Sequence, residues 1–263
     1  MSFAPEEIDR YARHLVLHEI GGPGQQRLKA AHVAVVGAGG LGCPALLYLA
    51  AAGVGQISVI DDDVVSLSNL QRQVLYATAE VGQPKAEAAV AALGRLNPHV
   101  AVTPVIARLD PANARALLAG ADLVLDGSDN AVTRYAVNAA AIAAGVPLVM
   151  GAIGRWEGQV GVFDPAQGGP CYACAFPEAP DSALVPACAE AGVLGALAGV
   201  IGAMQAVEAV KLITQAGTPL AGRLLLYDAL LAETRVLRVS RREGCQVCGG
   251  LCETAALAAR GGV

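Results

Sequence analysis

Charged and aromatic side chains are scarce in this sequence. Among 263 residues, 16% are charged and 4% are aromatic, and the net charge is −5. A groove that binds a polyanion needs a basic surface, so the charge balance argues against a nucleic-acid-binding protein. Apolar residues make up 54%, much of it in small aliphatic side chains, which suits close packing of helices on a sheet. The length allows a full hydrophobic core.

The chain also lacks a Ser/Pro-rich linker, an internal repeat and a low-complexity segment. Its first ten residues are charged and contain no apolar run, so we expect no secretory signal and a cytoplasmic protein. We predict a single domain over residues 1–263. Residues 1–30 are expected to form a helical N-terminal arm, and residues 249–263 a disordered tail.

One apolar segment calls for a comparison with membrane spans. Residues 191–207 are apolar apart from Gln205, but seventeen residues is the lower limit for a spanning helix. No aromatic belt flanks the segment. We therefore predict no membrane span, but a buried helix that packs in the core or across a dimer contact.

Short apolar runs alternate with helical stretches along the first part of the chain. The predicted strands there are 33–36, 57–60, 100–106, 123–125 and 146–150. The predicted helices are 41–52, 84–95, 111–119 and 131–144. Three further strands, 159–163, 223–227 and 234–239, surround a long helix at 192–214. This order predicts an α/β fold: a Rossmann-like, doubly wound, mainly parallel sheet extended by antiparallel strands.

A glycine-rich turn follows the first predicted strand and opens the first helix after it. Gly37 permits a tight turn, Gly39 lets the backbone approach a phosphate, and Gly42 allows close helix–strand packing. Asp61 ends the next strand, nineteen residues after Gly42, where a carboxylate can accept hydrogen bonds from ribose hydroxyls. Together these features predict a nucleotide site rather than a glycine turn needed only for packing.

The polar loop beyond Asp61 favours a triphosphate. It carries Ser68, Asn69, Arg72 and Gln73, and phosphoryl oxygens match a planar fork of donors. Lys85, at the start of the next helix, adds a positive charge. A nicotinamide-dependent oxidoreductase would use the same glycine loop, but it has no need of these donors. It remains the alternative enzyme.

Carboxylates also end the strand predicted at 123–125. Asp126 and Asp129 lie in the segment Leu-Asp-Gly-Ser-Asp-Asn that finishes at Asn130. Ligands of open α/β sheets bind at the carboxyl ends of strands. A carboxylate at this edge can hold Mg²⁺ directly or through water, so Asp129 is a candidate magnesium ligand.

Two Cys-x-x-Cys pairs lie about seventy residues apart. They are Cys171 with Cys174 and Cys245 with Cys248. Four thiolates in two such turns can complete a tetrahedral shell around one Zn²⁺, and a closed shell leaves no position for chemistry. The alternative is two unrelated turns. An odd total of seven cysteines fits metal ligands plus free thiols better than disulfides.

These motifs in combination resemble the ubiquitin-activating-type adenylyltransferases of the ThiF/MoeB family, most closely their MoeB-like branch. The matching positions cover residues 10–248, nearly the whole chain. The resemblance implies a Rossmann-like ATP-binding domain, a homodimer and a structural zinc held by the four cysteines. It also implies a partner, a small ubiquitin-fold sulfur-carrier protein that ends in Gly-Gly.

The resemblance assigns roles position by position. The implied ATP-binding residues are Gly37, Gly39, Gly40, Gly42, Asp61, Asp63, Ser68, Asn69, Leu70, Gln71, Arg72, Lys85, Asp129 and Asn130. The implied catalytic residues are Arg13, Arg72, Lys85, Asp129 and Cys188. Among these, Asp129 would also hold Mg²⁺, and Arg13 would reach the phosphates of the other subunit as an arginine finger.

The implied reaction is the ATP-dependent adenylation of the carrier's C-terminal carboxylate, with release of pyrophosphate. It needs no side-chain nucleophile, so Cys188 would act only in a later sulfur step, and in the MoeB-like branch that thiol looks dispensable. The chain stops about fifteen residues after Cys248, without the rhodanese domain of some relatives, so we expect a separate sulfur-donor protein. A non-catalytic scaffold is the alternative of another class, and it would be expected to have lost phosphate-binding residues.

Overall fold

The protein is described by a computed structural model that covers residues 3–179 and 192–249. The predictions for Cys188 and for the tail beyond Gly249 lie outside the described residues. Two helices come first, α1 (Pro5–Leu15) and α2 (Gly21–Ala30), in the part predicted as a helical arm. Both helices pack on the body of the fold, since Tyr11 and Leu28 are buried.

The alternating part of the chain forms five parallel strands. The strands are β1 (His32–Val36), β2 (Gln56–Ile60), β3 (Ala101–Val105), β4 (Leu123–Asp126) and β5 (Leu148–Ile153). The helices between them are α3 (Gly42–Ala52), α4 (Lys85–Leu96), α5 (Ala114–Leu117) and α6 (Ala131–Ala144). Strands β1 and β4 are almost entirely buried apolar runs, as parallel strands covered on both faces should be.

The second part of the chain extends the same sheet with antiparallel strands. These are β6 (Glu157–Phe163), β7 (Arg223–Asp228) and β8 (Glu233–Arg238). The helices α7 (Tyr172–Ala175) and α8 (Gly195–Thr214) lie between β6 and β7 in the chain. The strand order is β3-β2-β1-β4-β5-β6-β7-β8. The predicted parallel sheet with an antiparallel extension is therefore confirmed. The chain reverses its direction of winding between β1 and β4, which is where open α/β sheets bind ligands.

Three predicted elements differ from the structure by three residues at one end. The long helix begins at Gly195 rather than at residue 192. Helix α5 is four residues long, because Asp110 and Asn113 hydrogen-bond to each other's backbone before it and compete with the helical turn. Strand β5 begins after Pro147 and runs on to Ile153, three residues beyond the predicted strand, because β6 pairs with it as far as Gly158.

Helix α8 is, among the described residues, the one helix long and apolar enough to cross a membrane. Length and composition alone are weak grounds, because the core helix of a globular fold has the same character. This helix carries the buried polar residues Gln205 and Glu208 and packs against α3, β5 and β6. It matches the predicted buried helix.

Candidate functional site

The glycine turn lies against the loop that follows β4. Gly37 has a φ of +88°, and a Cβ built on it would meet the backbone of Gly127 at 3.1 Å. A Cβ at Gly42 would lie 1.9 Å from the Gly37 carbonyl oxygen, which no side chain can tolerate. These close approaches bring the N-terminus of α3 and the β4–α6 loop together at the carboxyl edge of the sheet.

Asp61, at the end of β2, holds the glycine turn by its backbone. The amide of Ala38 donates to Oδ2 at 2.7 Å, and the amide of Asp63 donates to Oδ1 at 2.8 Å. Burial raises the pKa of Asp61, and the nearby charge of Lys85 and the two amides only partly offset that effect. The carboxylate therefore lies beside the turn, at the position that sequence reasoning assigned to a ribose ligand.

Lys85 begins α4 with its side chain buried inside the site. Its Nζ lies 2.7 Å from Oδ2 of Asp63, and the exposed fractions of the two side chains are 4% and 69%. Tyr76 fixes the same corner, because its hydroxyl donates to the carbonyl of Ala38 at 2.9 Å. A buried ammonium whose partner is exposed at the site is placed to exchange that partner for a phosphate.

Arg72 covers the other side of the glycine turn. Its Nη2 donates to Oδ1 of Asn69 at 3.0 Å, and its aliphatic stem would lie 3.5 Å from a Cβ at Gly40. The same hypothetical Cβ would lie 3.3 Å from Ala198 of α8. The absence of a side chain at Gly40 thus lets the arginine and the long helix close on the turn.

A cavity of about 1200 Å³ joins these parts. The predicted site residues that line it are Gly37, Gly39, Gly40, Asp61, Asp63, Arg72, Lys85, Asp129 and Asn130. Five predicted residues adjoin this wall without lining it: Gly42, Ser68, Asn69, Leu70 and Gln71. Their proposed roles as nucleotide ligands remain predictions.

Several cavity residues escaped the sequence reasoning. They are Arg108 after β3, Arg134 in α6, Arg155 and Glu157 at the β5–β6 turn, and Tyr227, Asp228 and Arg235 on the antiparallel strands. Arg134 had a local signal, because it lies one helical turn after Asn130. The others are brought to the cavity by sheet pairing, which no spacing in the sequence reveals.

The loop after β4 combines a buried carboxylate with an exposed one. Asp126 is 1% exposed, and the amide of Ser128 donates to its Oδ1 at 2.8 Å. Burial raises the pKa of Asp126, while the charge of Arg134 acts in the opposite direction. Asp129 is exposed at the cavity, and Asn130 caps α6 by accepting from the amide of Thr133 at 2.9 Å. Asp129, not Asp126, is thus the carboxylate open to a ligand.

Arg13 is remote from the cavity of its own chain. The ring of its neighbour Tyr11 packs on Gly53, at the C-terminal end of α3, whereas the cavity lies at the N-terminal end. Eleven residues of helix separate these ends, which amounts to roughly 16 Å. Arg13 is exposed, and its proposed role requires a second subunit.

The four paired cysteines meet on one side of α6. Their sulfur atoms lie within 4.8 Å of one another. Neighbouring pairs are 3.8 Å apart for Cys171–Cys174 and Cys171–Cys245, and 3.6 Å for Cys174–Cys248. A tetrahedral shell with Zn–S bonds of about 2.3 Å has S···S distances of about 3.8 Å. The cluster therefore fits a zinc ion.

Backbone amides donate to sulfur atoms of the cluster and stabilise the negative charge that a cysteine needs to bind a metal. The amide of Arg242 donates to Sγ of Cys174 at 3.4 Å. Burial opposes ionisation of Cys245, but the amides of Cys248 and Val247 lower its pKa to about 6. Burial raises the pKa of Cys171. A bound cation would favour ionisation of the clustered thiols.

Comparisons with known proteins give the chain its relatives. The sulfur carrier protein adenylyltransferase of Thermus thermophilus is 53% identical over 253 residues, covering 95% of this chain and 93% of the relative. The molybdopterin-synthase adenylyltransferase of Escherichia coli is 50% identical over 244 residues, covering 93% and 97%. A crystal structure of E. coli MccB with ATP shares the fold, with a TM-score of 0.81 at 23% identity, covering 91% of this chain and 74% of MccB.

The sequence also matches a protein family over most of its length. Residues 11–247 match the ThiF family, so the match includes both the glycine turn and all but one of the clustered cysteines. The resemblance inferred from the motifs is confirmed: this chain belongs to the ThiF family.

Proposed function

We propose that this protein catalyses the ATP-dependent adenylation of the C-terminal glycine carboxylate of a small ubiquitin-like sulfur-carrier protein. The observation that carries the proposal is the single cavity that joins the glycine turn, Lys85, Arg72 and Asp129 to the ends of β5 and β7. The adenylyltransferase names of relatives about 50% identical support the same reaction.

In this reaction an oxygen of the carrier's carboxylate attacks the α-phosphorus of ATP. The bond between the α-phosphorus and its bridging oxygen breaks, pyrophosphate leaves, and a carrier acyl-adenylate forms. Both reactants are anions, so most of the barrier is electrostatic. Lys85 and Arg72 lower it by holding the phosphates in place and by balancing the charge that develops on the leaving group. The attacking oxygen is already ionised, so no general base is needed.

Mg²⁺ is the expected cofactor of a reaction on ATP, and Asp129 is the residue we assign to hold it. The carboxylate is exposed at the cavity, beside the N-terminus of α6, and an oxygen ligand suits this hard cation. When bound, the ion supplies further charge neutralisation at the phosphates. Zn²⁺ belongs instead to the four-cysteine cluster, where a closed thiolate shell would give it a structural role.

The remaining part of the cavity suits the carrier's C-terminal tail. Its walls come from Arg155, Glu157, Tyr227 and Arg235, away from the glycine turn. Gly158 also lines this part of the cavity, and the absence of its side chain makes room for the buried Ile201 of α8, which a Cβ there would meet at 2.4 Å. A tail that ends in Gly-Gly brings no side chains of its own into this part of the cavity.

We further propose a homodimer, in which each subunit supplies Arg13 to the other's phosphates. The exposed apolar side chains of Tyr48 and Val207, on α3 and α8, are consistent with a subunit contact.

Sulfur would come from a separate donor protein after adenylation. We also propose a cytoplasmic location, because a reducing compartment keeps the clustered cysteines as thiols that can bind a metal.

Carrier-dependent ATP–pyrophosphate exchange tests this function. Each available small ubiquitin-like carrier is incubated with the protein, ATP, Mg²⁺ and labelled pyrophosphate, and we expect label in ATP only when a suitable carrier is present. A thermal shift with ATP and Mg²⁺ but none with NADH would exclude the oxidoreductase. Binding of a carrier without any exchange would instead favour the scaffold.

A further inference from the structure

The carbonyl oxygen of Ala38, inside the glycine turn, is held by two buried side chains. The hydroxyl of Tyr76 donates to it at 2.9 Å, and Sγ of Cys43 donates to it at 3.3 Å. Both side chains belong to the hydrophobic core, where Tyr76 is 7% exposed and Cys43 is fully buried. On the other side of the residue, the amide of Ala38 donates to Oδ2 of Asp61 at 2.7 Å. The two peptide groups that flank Ala38 are therefore both fixed by side chains.

The orientation of the Ala38 carbonyl determines the direction of the next amide. The peptide bond between Ala38 and Gly39 is trans, and in a planar trans peptide the C=O and N–H groups point in opposite directions. Since the carbonyl points into the core, the amide of Gly39 points toward the cavity that Gly39 lines. This amide has no acceptor within residues 3–179 and 192–249. It can therefore donate to an anion at the N-terminus of α3.

Tyr76 also contacts the two other elements that we assign to the phosphates. Its hydroxyl lies 3.3 Å from the carbonyl oxygen of Lys85, at the start of α4. Its amide donates at 3.2 Å to the carbonyl of Gln73, the residue after Arg72. The hydroxyl has one proton, and the shorter distance favours its donation to Ala38. Burial raises the pKa of Tyr76, so that proton stays in place at neutral pH.

We infer that Tyr76 is a positioning residue that directs the Gly39 amide at the phosphates of ATP by hydrogen-bonding to the Ala38 carbonyl. Cys43 is the weaker second donor to the same carbonyl, because a thiol is a poor hydrogen-bond donor. The inference rests on the proposed function in one respect, the identification of the ligand as a nucleotide whose phosphates meet the glycine turn. It assigns a task in ligand binding to a buried tyrosine that does not itself line the cavity.

The test compares the binding of ATP with Mg²⁺, inorganic tripolyphosphate and adenosine to the zinc-loaded protein by equilibrium dialysis. Tyr76→Phe removes the hydroxyl but keeps the ring that packs in the core. Cys43→Ala removes the second donor, and the double variant Tyr76→Phe/Cys43→Ala removes both. Tyr135→Phe is the matched control, because it also loses a hydroxyl that donates to a carbonyl, that of Phe176 at 2.6 Å, and its side chain does not line the cavity.

We expect Tyr76→Phe to bind ATP about fivefold more weakly, as the loss of one neutral hydrogen bond predicts. Tripolyphosphate should lose affinity by the same factor and adenosine by less than about twofold, because the Gly39 amide contacts only phosphate. Cys43→Ala alone should weaken ATP binding less than about twofold. The double variant should lose more than the product of the two single losses, since the Ala38 carbonyl then has no side-chain donor.

A second readout follows the amide itself and needs no substitution. In wild-type protein labelled with ¹⁵N at glycine, ATP should move the Gly39 amide proton downfield, because it donates to a phosphate oxygen. The amide of Gly94, inside α4, should shift little. In Tyr76→Phe the downfield shift of Gly39 should be smaller than in the wild type.

Unchanged ATP affinity in Tyr76→Phe would overturn the inference. An equal loss for adenosine would overturn it too, as would a loss in Tyr135→Phe as large as that in Tyr76→Phe, because each would indicate general loosening. So would the lack of a downfield shift at Gly39 in the wild type. Failure of the proposed function is distinguishable: wild-type protein without carrier-dependent exchange would contradict that function, while a loss of affinity confined to the phosphate ligands would still support the positioning role.

Discussion

The ammonium of Lys85 and the carboxylate of Asp63 form an ion pair with one member buried and the other in solvent. Nζ and Oδ2 are 2.7 Å apart, and the side chains are 4% and 69% exposed. Solvent screens the exposed partner, so the pair is weak support for the cation. Phosphate oxygens that enter the cavity would give the buried ammonium a better match, which makes Lys85 the first residue to test.

We predict that Lys85→Ala and Asp129→Ala each abolish carrier-dependent pyrophosphate exchange while the fold remains intact. The lysine variant removes a positive charge at the phosphates, and the aspartate variant removes the carboxylate assigned to Mg²⁺. Exchange assays paired with circular dichroism measure both properties. Exchange near the wild-type rate in both variants would refute the assignment of this cavity as the ATP site.

Gly42→Ala and Gly94→Ala form a matched pair that tests the glycine turn. At Gly42 the new Cβ would lie 1.9 Å from the Gly37 carbonyl oxygen, so the turn must move. At Gly94, inside α4, the new Cβ meets nothing within 4 Å.

We expect Gly42→Ala to lose most ATP-induced thermal stabilisation. Gly94→Ala should keep it and should stabilise the fold by about 0.5–1 kcal/mol. Thermal melting with and without ATP and Mg²⁺ measures both effects. Equal ATP responses in the two variants would show that close approach at Gly42 does not matter for the nucleotide.

The cysteine cluster predicts one zinc ion per chain. Cys174→Ser should lower the zinc content and the Tm, because the metal links the first turn to Cys245 and Cys248 far along the chain. Cys43→Ala is the control, since that thiol is buried near the glycine turn, where its Sγ lies 3.3 Å from the Ala38 carbonyl. Elemental analysis should find zinc unchanged in the control. No zinc in the wild type, or a Cys174→Ser protein that melts normally, would contradict this prediction.

Nucleotide affinity should depend on pH through Asp61. Burial raises the pKa of this carboxyl above its ordinary value of 3.8, so it takes up a proton at a higher pH than an exposed aspartate does. The ionised form accepts the ribose hydroxyls, so affinity should fall as the pH decreases through that raised pKa. Titration of ATP binding, followed by the fluorescence of the single tryptophan, Trp156, measures this. An acid limb that persists unchanged in Asp61→Asn would assign it to another group.

The local parts of the site could be predicted from the sequence. The turn from Gly37 to Gly42, Asp61 and Lys85 each lie within a few residues of a strand or helix end, so spacing alone indicates their position. The long-range partners could not be predicted in this way. The hydrogen bond from the amide of Tyr172 to Oδ1 of Asn138 depends on how α6 packs on a distant turn. The burial of Asp126 depends on Gln205 of α8, which donates to its carbonyl at 2.8 Å. The predicted length of helix α5 was too great, because the hydrogen bonds between Asp110 and Asn113 compete with the first helical turn. The spacing of residues in the sequence does not show which of the two arrangements is favoured.

Carrier specificity is the property that local sequence patterns predict least well. The walls assigned to the carrier tail come from β6, β7, β8 and the β5–β6 turn, which sheet pairing brings together. Substitutions at these positions change the shape of the passage without altering any nucleotide motif. We therefore expect surface contacts with the partner to decide between molybdenum-cofactor, thiamine and other sulfur-carrier pathways.

Carrier-dependent ATP–pyrophosphate exchange tests the central claim most directly, when one carrier is compared with and without its terminal glycine. The account predicts exchange with the intact carrier and none with the truncated one, because the attacking group is that terminal carboxylate held at a fixed distance from the α-phosphate. Equal exchange with the truncated carrier, or exchange in the absence of any carrier, would contradict it.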